Sequence, residues 1–519
     1  MESDCLPDTT RNEGPITAQF NPSVVVEARD DCLSSEVGVL AIREMDQRLR
    51  LTEKLAQALH DPRNQKLIDH PMVELLRSRL YAIIQGLGDQ DNLDRLRYDL
   101  SFQVGVSGQT GKRPFDTGAT GGAAAGLASQ PTQSRMIAAL SETCNREALK
   151  GALRDWSLEC LAVLKLLPAS ELTLDIDSSM WEVFGHPAGT DYNGHYGCNG
   201  YHPQLIFLYE ARTWIATELR MGSEYSSTGA EKLLLPLVSD LESRTGCRIR
   251  VRGDAAYPEE NLLSALETHQ DPAGKNAPIH YCFRLKTNRV LARMADPYLK
   301  PPPGRRPREP RSWVHELLYQ AEGWSKKRRV VLVVKELPGE LFLDYFLLVT
   351  NFEETGHPGP EVWAYYRQRG TMEADIGQLK TALHPSLSSS DRSPKTVQAR
   401  RSPDAEMAAA QKEAYSNEAT FILFLLAYNM MTIAAGVMSK ACPEKDRAQS
   451  GHVPRGGASV KGTGPGWGWS LSRFREQVLK CAGRILVGGK QIRVIVSQYG
   501  AELFLRFWRA IAGLYPHPR

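Results

Sequence analysis

The sequence predicts an α/β protein with helical regions on either side of a mixed sheet. Three observations carry this. "ELTLDIDSS" (171–179) alternates apolar Leu172, Leu174 and Ile176 with polar Thr173, Asp175 and Asp177, the period of a strand. The central segments run in the order β-β-β-α-β-α-β. The flanking segments instead place apolar residues three and four apart, the period of helices.

Taken in chain order, residues 1–35 read as a disordered start, polar and acidic at "MESDCLPDTTRNEGP", with no apolar leader. Residues 36–150 read as helical, with "VGVLAIREMDQRLRLTEKLAQAL" and "HPMVELLRSRLYAIIQGL" as amphipathic segments. A Gly/Thr-rich break at 107–126 precedes a helix opening near Gln130, Thr132, Gln133, Ser134 and Arg135. Such helices suit either a helix-turn-helix reader of DNA or an ordinary bundle. After the first strand, "PQLIFLYE" and "TWIATELRM" continue an antiparallel meander. "GAEKLLLPLVSDLESRTG" is a helix, "CRIRVRGDAAY" a fourth strand ending at Gly253 and Asp254, "PEENLLSALETH" a helix opening on proline, and "IHYCFRLKT" a fifth strand. An insertion at about 290–355 contains a Pro/Arg-rich loop and a hairpin, "RRVVLVVKEL" with "LFLDYFLLVTNF". The central domain spans 151–440. Residues 441–467 read as a flexible loop, and 468–519 as a C-terminal region with a hairpin and a helix.

Composition narrows the function. The 519 residues carry 63 Lys plus Arg against 60 Asp plus Glu, a formal charge of +3, so a nucleic-acid surface must be local. The nine cysteines never approach C-x-x-C spacing, which argues against a zinc or redox site and for a reducing compartment. "ATFILFLLAYNMMTIAAGVM" (419–438) approaches membrane-spanning length but contains Asn429, Thr420, Thr432 and Gly436, and we expect a buried core helix.

The most informative stretch is "YYRQRGTMEADIGQLK" (365–380), with Tyr366, Arg369, Glu373 and Lys380 at gaps of three, four and seven. On one helix, taking Tyr366 as zero, the other three fall at roughly 300°, 340° and 320°, a single polar ridge beside apolar Met372, Ile376 and Leu379. Thr371, Ala374 and Asp375 would face solvent. Taken alone, the ridge reads as a solvated face with an Arg369/Glu373 pair worth a few tenths of a kcal/mol.

An Asp on the first strand, an Asp ending the fourth and a Glu on a late helix can converge on divalent metal. In a ribonuclease H-like sheet the first and fourth strands are neighbours, so Asp177, Asp254 and Glu373 would meet. Hard oxygen donors suit Mg²⁺ rather than zinc, and two such ions support in-line displacement at phosphorus. Asp175 shares a strand face with Asp177 and competes for the first position.

From about residue 37 to 515 the chain resembles the DDE transposases of bacterial insertion sequences, in the group 1 branch with the Y-R-E-K signature. "LDIDSS", "GYHPQLI" and "RGDAAY" look like that family's segments, and Tyr366, Arg369, Glu373 and Lys380 fit the signature at every spacing. The resemblance implies a ribonuclease H-like core with a β-rich insertion, a helical DNA-end-binding region before it and a helical tail after it. It implies an enzyme of the bacterial cytoplasm that cuts the ends of its own mobile element and joins the 3′ ends to target DNA. Asp177, Asp254 and Glu373 would hold two Mg²⁺ ions, for which Mn²⁺ can substitute. Asp177 is preferred to Asp175 because the family's Asp precedes a Ser/Thr pair, here Ser178 and Ser179. Tyr366, Arg369 and Lys380 would grip phosphates or a displaced base. The partners would be double-stranded DNA, as terminal inverted repeats and target, and a second copy of the chain in a synaptic homodimer. A metal-dependent nuclease and a DNA-binding protein without catalysis are the rival readings. His186, His195 and His202 read as loop or core residues, and Trp324 as a core residue or a stack for an extruded base.

Overall fold

A computed structural model describes residues 16–17, 19–26, 32–109, 126–304, 307–390, 395–398, 401–441, 469–488 and 491–514. The expected flexible loop at 441–467 lies almost wholly outside them, as does most of the Gly/Thr-rich break.

A mixed sheet organises the chain. Its strands are β1 (Glu171–Ser178), β2 (Gln204–Leu208), β3 (Thr213–Glu218), β4 (Arg248–Gly253), β5 (His280–Leu285), β6 (Arg311–Tyr319), β7 (Arg328–Glu336) and β8 (Asp344–Thr350), ordered β6-β7-β8-β5-β4-β1-β2-β3. β4 runs parallel to β1 and to β5, and the remaining neighbours pair antiparallel. The first and fourth strands are therefore adjacent, as expected. The insertion departs from expectation: it contributes three strands rather than a hairpin, and they extend the same sheet from β5. "RSWVHELLY" became β6 although its burial is only partial, because an edge strand needs no continuous apolar face to join a ladder.

The helices are α1 (Gly38–Leu49), α2 (Leu51–Ala58), α3 (Met72–Ile84), α4 (Asn92–Leu96), α5 (Leu100–Val106), α6 (Gln130–Leu140) and α7 (Thr143–Val163) before the sheet. Within and after it come α8 (Ala230–Thr245), α9 (Glu260–Glu267), α10 (Arg289–Ala295), α11 (Gly359–Arg367), α12 (Gly370–Gln378), α13 (Pro403–Ala441) and the C-terminal α14 (Gln498–Ala512). Within the stretch expected to be a disordered start, Leu33–Ser34 forms a short strand that pairs with Gly483 and Arg484 of the C-terminal hairpin.

Strand β1 is buried on both faces, more than its alternation suggested. Leu172, Leu174 and Ile176 join the main core, while the opposite face at β5, β7 and β8 packs Cys282, Val331, Val333, Phe346 and Leu348 against Val362 and Tyr366 of α11. Asp175 lies on this second face at zero exposure, as does its register partner Arg252. Arg252 clasps it with Nε and Nη2 at 2.6 and 2.8 Å, and donates Nη1 to the Tyr365 carbonyl at 2.7 Å.

Helix α13 is long and apolar enough to cross a membrane, yet its most apolar window is entirely buried within the protein. Asn429 gives the reason for its polar atoms. Its Oδ1 accepts from the Trp214 N–H at 2.9 Å and its Nδ2 donates to the Trp214 carbonyl at 2.8 Å, so the helix satisfies the backbone of edge strand β3. Replacing Asn429 with Leu should cost about 2–4 kcal/mol, because two buried backbone groups lose their partner. A thermal or denaturant melt would read this as a clear loss of stability, and Asn429→Asp should regain stability as pH falls, because only the protonated carboxyl both accepts the Trp214 N–H and donates to its carbonyl.

Candidate active site at the ends of two parallel strands

The register that pairs Arg252 with Asp175 and Gly253 with Ile176 carries Asp254 to the level of Asp177. Both carboxylates therefore leave the same end of adjacent parallel strands, about 5 Å apart in the hydrogen-bonding direction. Gly253 makes this approach possible. A Cβ there would stand 2.9 Å from the Phe283 ring and 3.0 Å from Ile176 Cγ2. Asp254 Oδ1 accepts the Ala256 N–H at 2.9 Å, a local turn bond. It does not cap α9, whose N-cap is Glu259.

Arg369 joins the third carboxylate to the first. Its Nη2 donates to Asp177 Oδ2 at 2.6 Å and its Nη1 to Glu373 Oε1. The guanidinium is 7% exposed and the Glu373 side chain 60% exposed, so the pair runs from the protein interior to solvent. Burial pushes Asp177 up to about 7; Arg369 opposes this, while Asp254 and Glu373 add to it. Burial works against the charge on Arg369, but Asp177, Tyr366, Glu373 and Asp254 together raise its pKa. The electrostatics thus place all three acids around one guanidinium. Their oxygens do not all lie within 4.8 Å of one another; among the described residues only His60, Glu142 and Cys144 do so, all on the surface.

The stretch expected to form one helix is two. α11 ends at Arg367 and α12 begins at Gly370, with three-residue turns from Arg369 N to Tyr366 O and from Thr371 N to Gln368 O between them. Leu379–Leu383 then widens into a π turn. Tyr366 consequently does not stand on an exposed ridge: it is 9% exposed in the α11 core cluster, and burial raises its pKa. Lys380 Nζ donates to the Met180 carbonyl at 2.8 Å and lies 4.7 Å from the Trp181 ring centroid, tying α12 to the chain just beyond Asp177. Burial lowers the Lys380 pKa.

Asp375 also departs from expectation. It is fully buried and held by Arg212 at 2.6 and 3.1 Å, because α12 is enclosed between the β2–β3 turn and α13. Asp175 and Asp177 now have different environments, Asp175 sealed by Arg252 and Asp177 facing Asp254 and Arg369. Trp324 is a core residue, 6% exposed, its Nε1 donating to the Pro258 carbonyl at 3.2 Å. His202 is buried with Nδ1 2.8 Å from the Glu224 carbonyl, and His186 and His195 lie on exposed turns. Gln133, a residue a helix-turn-helix would turn outward, is fully buried with its amide donating to the Leu75 carbonyl.

One feature escaped the sequence reading. A small sheet of Trp181–Glu182, Asp191–Asn193 and Cys198–Tyr201 grows from the end of β1. It exposes Phe184, Tyr192 and Tyr196, and Tyr225 is exposed nearby in sequence to its isolated bridge at Met221. Asp177 and Asp254 are among the charges that Tyr196 feels. The signal was present in "FGHPAGTDYNGHYGCNGY", whose aromatics alternate with glycine and polar residues rather than with apolar ones.

No curated protein matches the chain. Among solved structures, a synaptic complex of the piggyBac transposase with hairpin DNA, determined by cryo-electron microscopy, aligns at 11% identity and a TM-score of 0.30, over 80% of this chain and 83% of that one. The profile of the transposase DDE domain, group 1, matches residues 16–398, and the chain belongs to that family.

Proposed function

We propose that this chain is a DNA transposase that cuts the ends of its own element and joins the freed 3′ ends to target DNA, with Asp177, Asp254 and Glu373 as its catalytic carboxylates. The observation that carries the reading is the strand register that sets Asp254 beside Asp177 while Arg369 spans Asp177 and Glu373. The fold supports it, since the strand order β3-β2-β1-β4-β5 is that of a ribonuclease H-like sheet, with β6–β8 as the insertion.

The donor set fits a hard divalent cation. All three residues offer carboxylate oxygen, and burial, with smaller contributions from Asp254 and Glu373, raises the Asp177 pKa to about 7, a penalty on its charged form that a cation would relieve. Two Mg²⁺ ions, or Mn²⁺ in their place, would activate the attacking hydroxyl and stabilise the leaving oxygen at phosphorus. Arg369 holds Asp177 and Glu373 in place beforehand and opposes the loss of charge on Asp177, and its planar fork suits a phosphate oxygen once cations relieve it of that task. Lys380 supplies a second positive group on the chain just beyond Asp177, at the Met180 carbonyl, and with Tyr366 and Arg369 would grip phosphates or a displaced base. The DNA partners are the element's terminal repeats and a target duplex, handled by a homodimer that holds two ends together. A nuclease that cuts without joining is the rival, and the retention of three acids around one guanidinium argues against a protein that has lost its chemistry.

Asp177→Asn, Asp254→Asn and Glu373→Gln should each lower end cleavage by about a thousandfold or more, as the loss of several kcal/mol of transition-state stabilisation requires, while gel-shift affinity for DNA persists. Cleavage surviving Glu373→Gln would remove Glu373 from the site. With a pre-cut end, Mg²⁺ and plasmid target, joined product is expected; cleavage of the plasmid without joining would favour the nuclease. Arg369→Met should cost about 3 kcal/mol in chelator, since buried Asp177 loses its counter-charge, and Mg²⁺ should restore much of that loss in a thermal melt. Equal destabilisation of Arg369→Met with and without Mg²⁺ would show that the acids do not gather cations.

A further inference from the structure

A polar cavity of about 510 Å³ lies between the N-terminal helices and the catalytic half, lined among others by Arg79 of α3, Ser134 of α6, Ser388 and Ser389 beyond the π turn, and Lys412 of α13. Arg79 is 2% exposed, and neither its Nε nor its Nη1 has a hydrogen-bond partner. Its guanidinium lies 5.6 Å from the Phe424 ring centroid, a contact that stabilises the charge but accepts none of its N–H groups. Burial lowers its pKa to about 10, so it stays protonated at neutral pH. Buried cations are ordinarily paired, and one that lines a cavity with two nitrogens unpaired is placed to receive an anion.

The lining shows what kind of ion. Three carboxylates border the same cavity, yet none makes an ion pair with Arg79: Asp89 and Asp91 are exposed to solvent, and Glu413 Oε1 accepts the Ala188 N–H at 2.8 Å. The fold thus brings acids near, Asp89 acting on the guanidinium only through its charge, and leaves Nε and Nη1 unpaired. Ser388 and Ser389 add hydroxyl donors on one side, while Ser134 on the other donates to Gln90 Oε1 at 3.0 Å, and a guanidinium fork beside hydroxyls is the donor set of a tetrahedral oxyanion.

We propose that this cavity binds a phosphate group on Arg79 and that the group belongs to the DNA backbone, an assignment of source that rests on the function proposed above. The site lies just past Lys380 in the chain, and the loop before it packs tightly there: a Cβ at Gly88 would be 3.1 Å from the Leu383 carbonyl. A bound phosphate would therefore join the helical region to the end of the catalytic helices.

The full chain can be melted in chloride buffer with inorganic phosphate added at constant ionic strength. The wild type should gain roughly 2 °C or more in a saturable way. Arg79→Met should show no saturable gain and should melt no lower than wild type without phosphate, because it removes an unpaired buried charge. Ser389→Ala should shift the midpoint of the phosphate response several-fold while leaving the phosphate-free melt unchanged. A wild type without a saturable response, or an Arg79→Met protein that melts lower in phosphate-free buffer, would overturn the site. The source is tested with a duplex of arbitrary sequence, which needs no catalysis. Arg79→Met should reduce the slope of log affinity against log salt by about 0.9, one phosphate contact. An unchanged slope with an intact phosphate response would keep the site but assign it to free phosphate and overturn the DNA assignment.

Discussion

The buried clasp between Arg252 and Asp175 is the constraint on which the rest of the site depends. It lies two residues before Asp177 and Asp254 on the same face of the same two strands, so any slip of β4 against β1 would break it. It also reaches the Tyr365 carbonyl, with the guanidinium between the Tyr209 and Tyr365 rings at 4.6 and 4.7 Å. A buried ion pair of this kind adds little net stability, because desolvation offsets much of the attraction. What it supplies here is register: one side chain fixes two strands and the end of α11 together, and Arg369 follows a few residues later.

From that foundation the site is a problem of charge. Three acids crowd around Arg369, and the one nearest the interior is driven toward its neutral form by burial and by its neighbours. The fold tolerates the repulsion because the surrounding elements are held by other interactions: Arg212 fixes α12 through Asp375, and Lys380 fixes its end through the Met180 carbonyl. The three acids are thus held by elements whose positions other interactions fix.

Much of this was legible in the sequence. Strand alternation and order gave the sheet, and Asp177, Asp254 and Glu373 stood at its informative positions. The Arg369/Glu373 pair read from helical spacing is present. What failed to show did so for physical reasons. Helical angles cannot report a tight turn at Gln368–Thr371, so Tyr366 was expected on a surface that the turn denies it. Asp375 has the composition of a solvated residue, and only the Arg212 partner, distant in the chain, explains its burial. The strand at 311–319 has no clean period because an edge strand is half wet, and the aromatic outcrop beyond β1 lacks any repeat. Asn429 looked like an imperfection in an apolar helix, because its partners are backbone atoms and leave no mark on the sequence.

The embrace of Trp214 by Asn429 also bears on how such a chain can enlarge. A sheet grows where a margin offers free amides and carbonyls. On the β3 side α13 and α7 lie against that margin and Asn429 occupies the N–H and carbonyl of Trp214, whereas β5 gives its far edge to β8. The three supplementary strands stand on that far side, so the sheet is enlarged away from the helix that grips its opposite border.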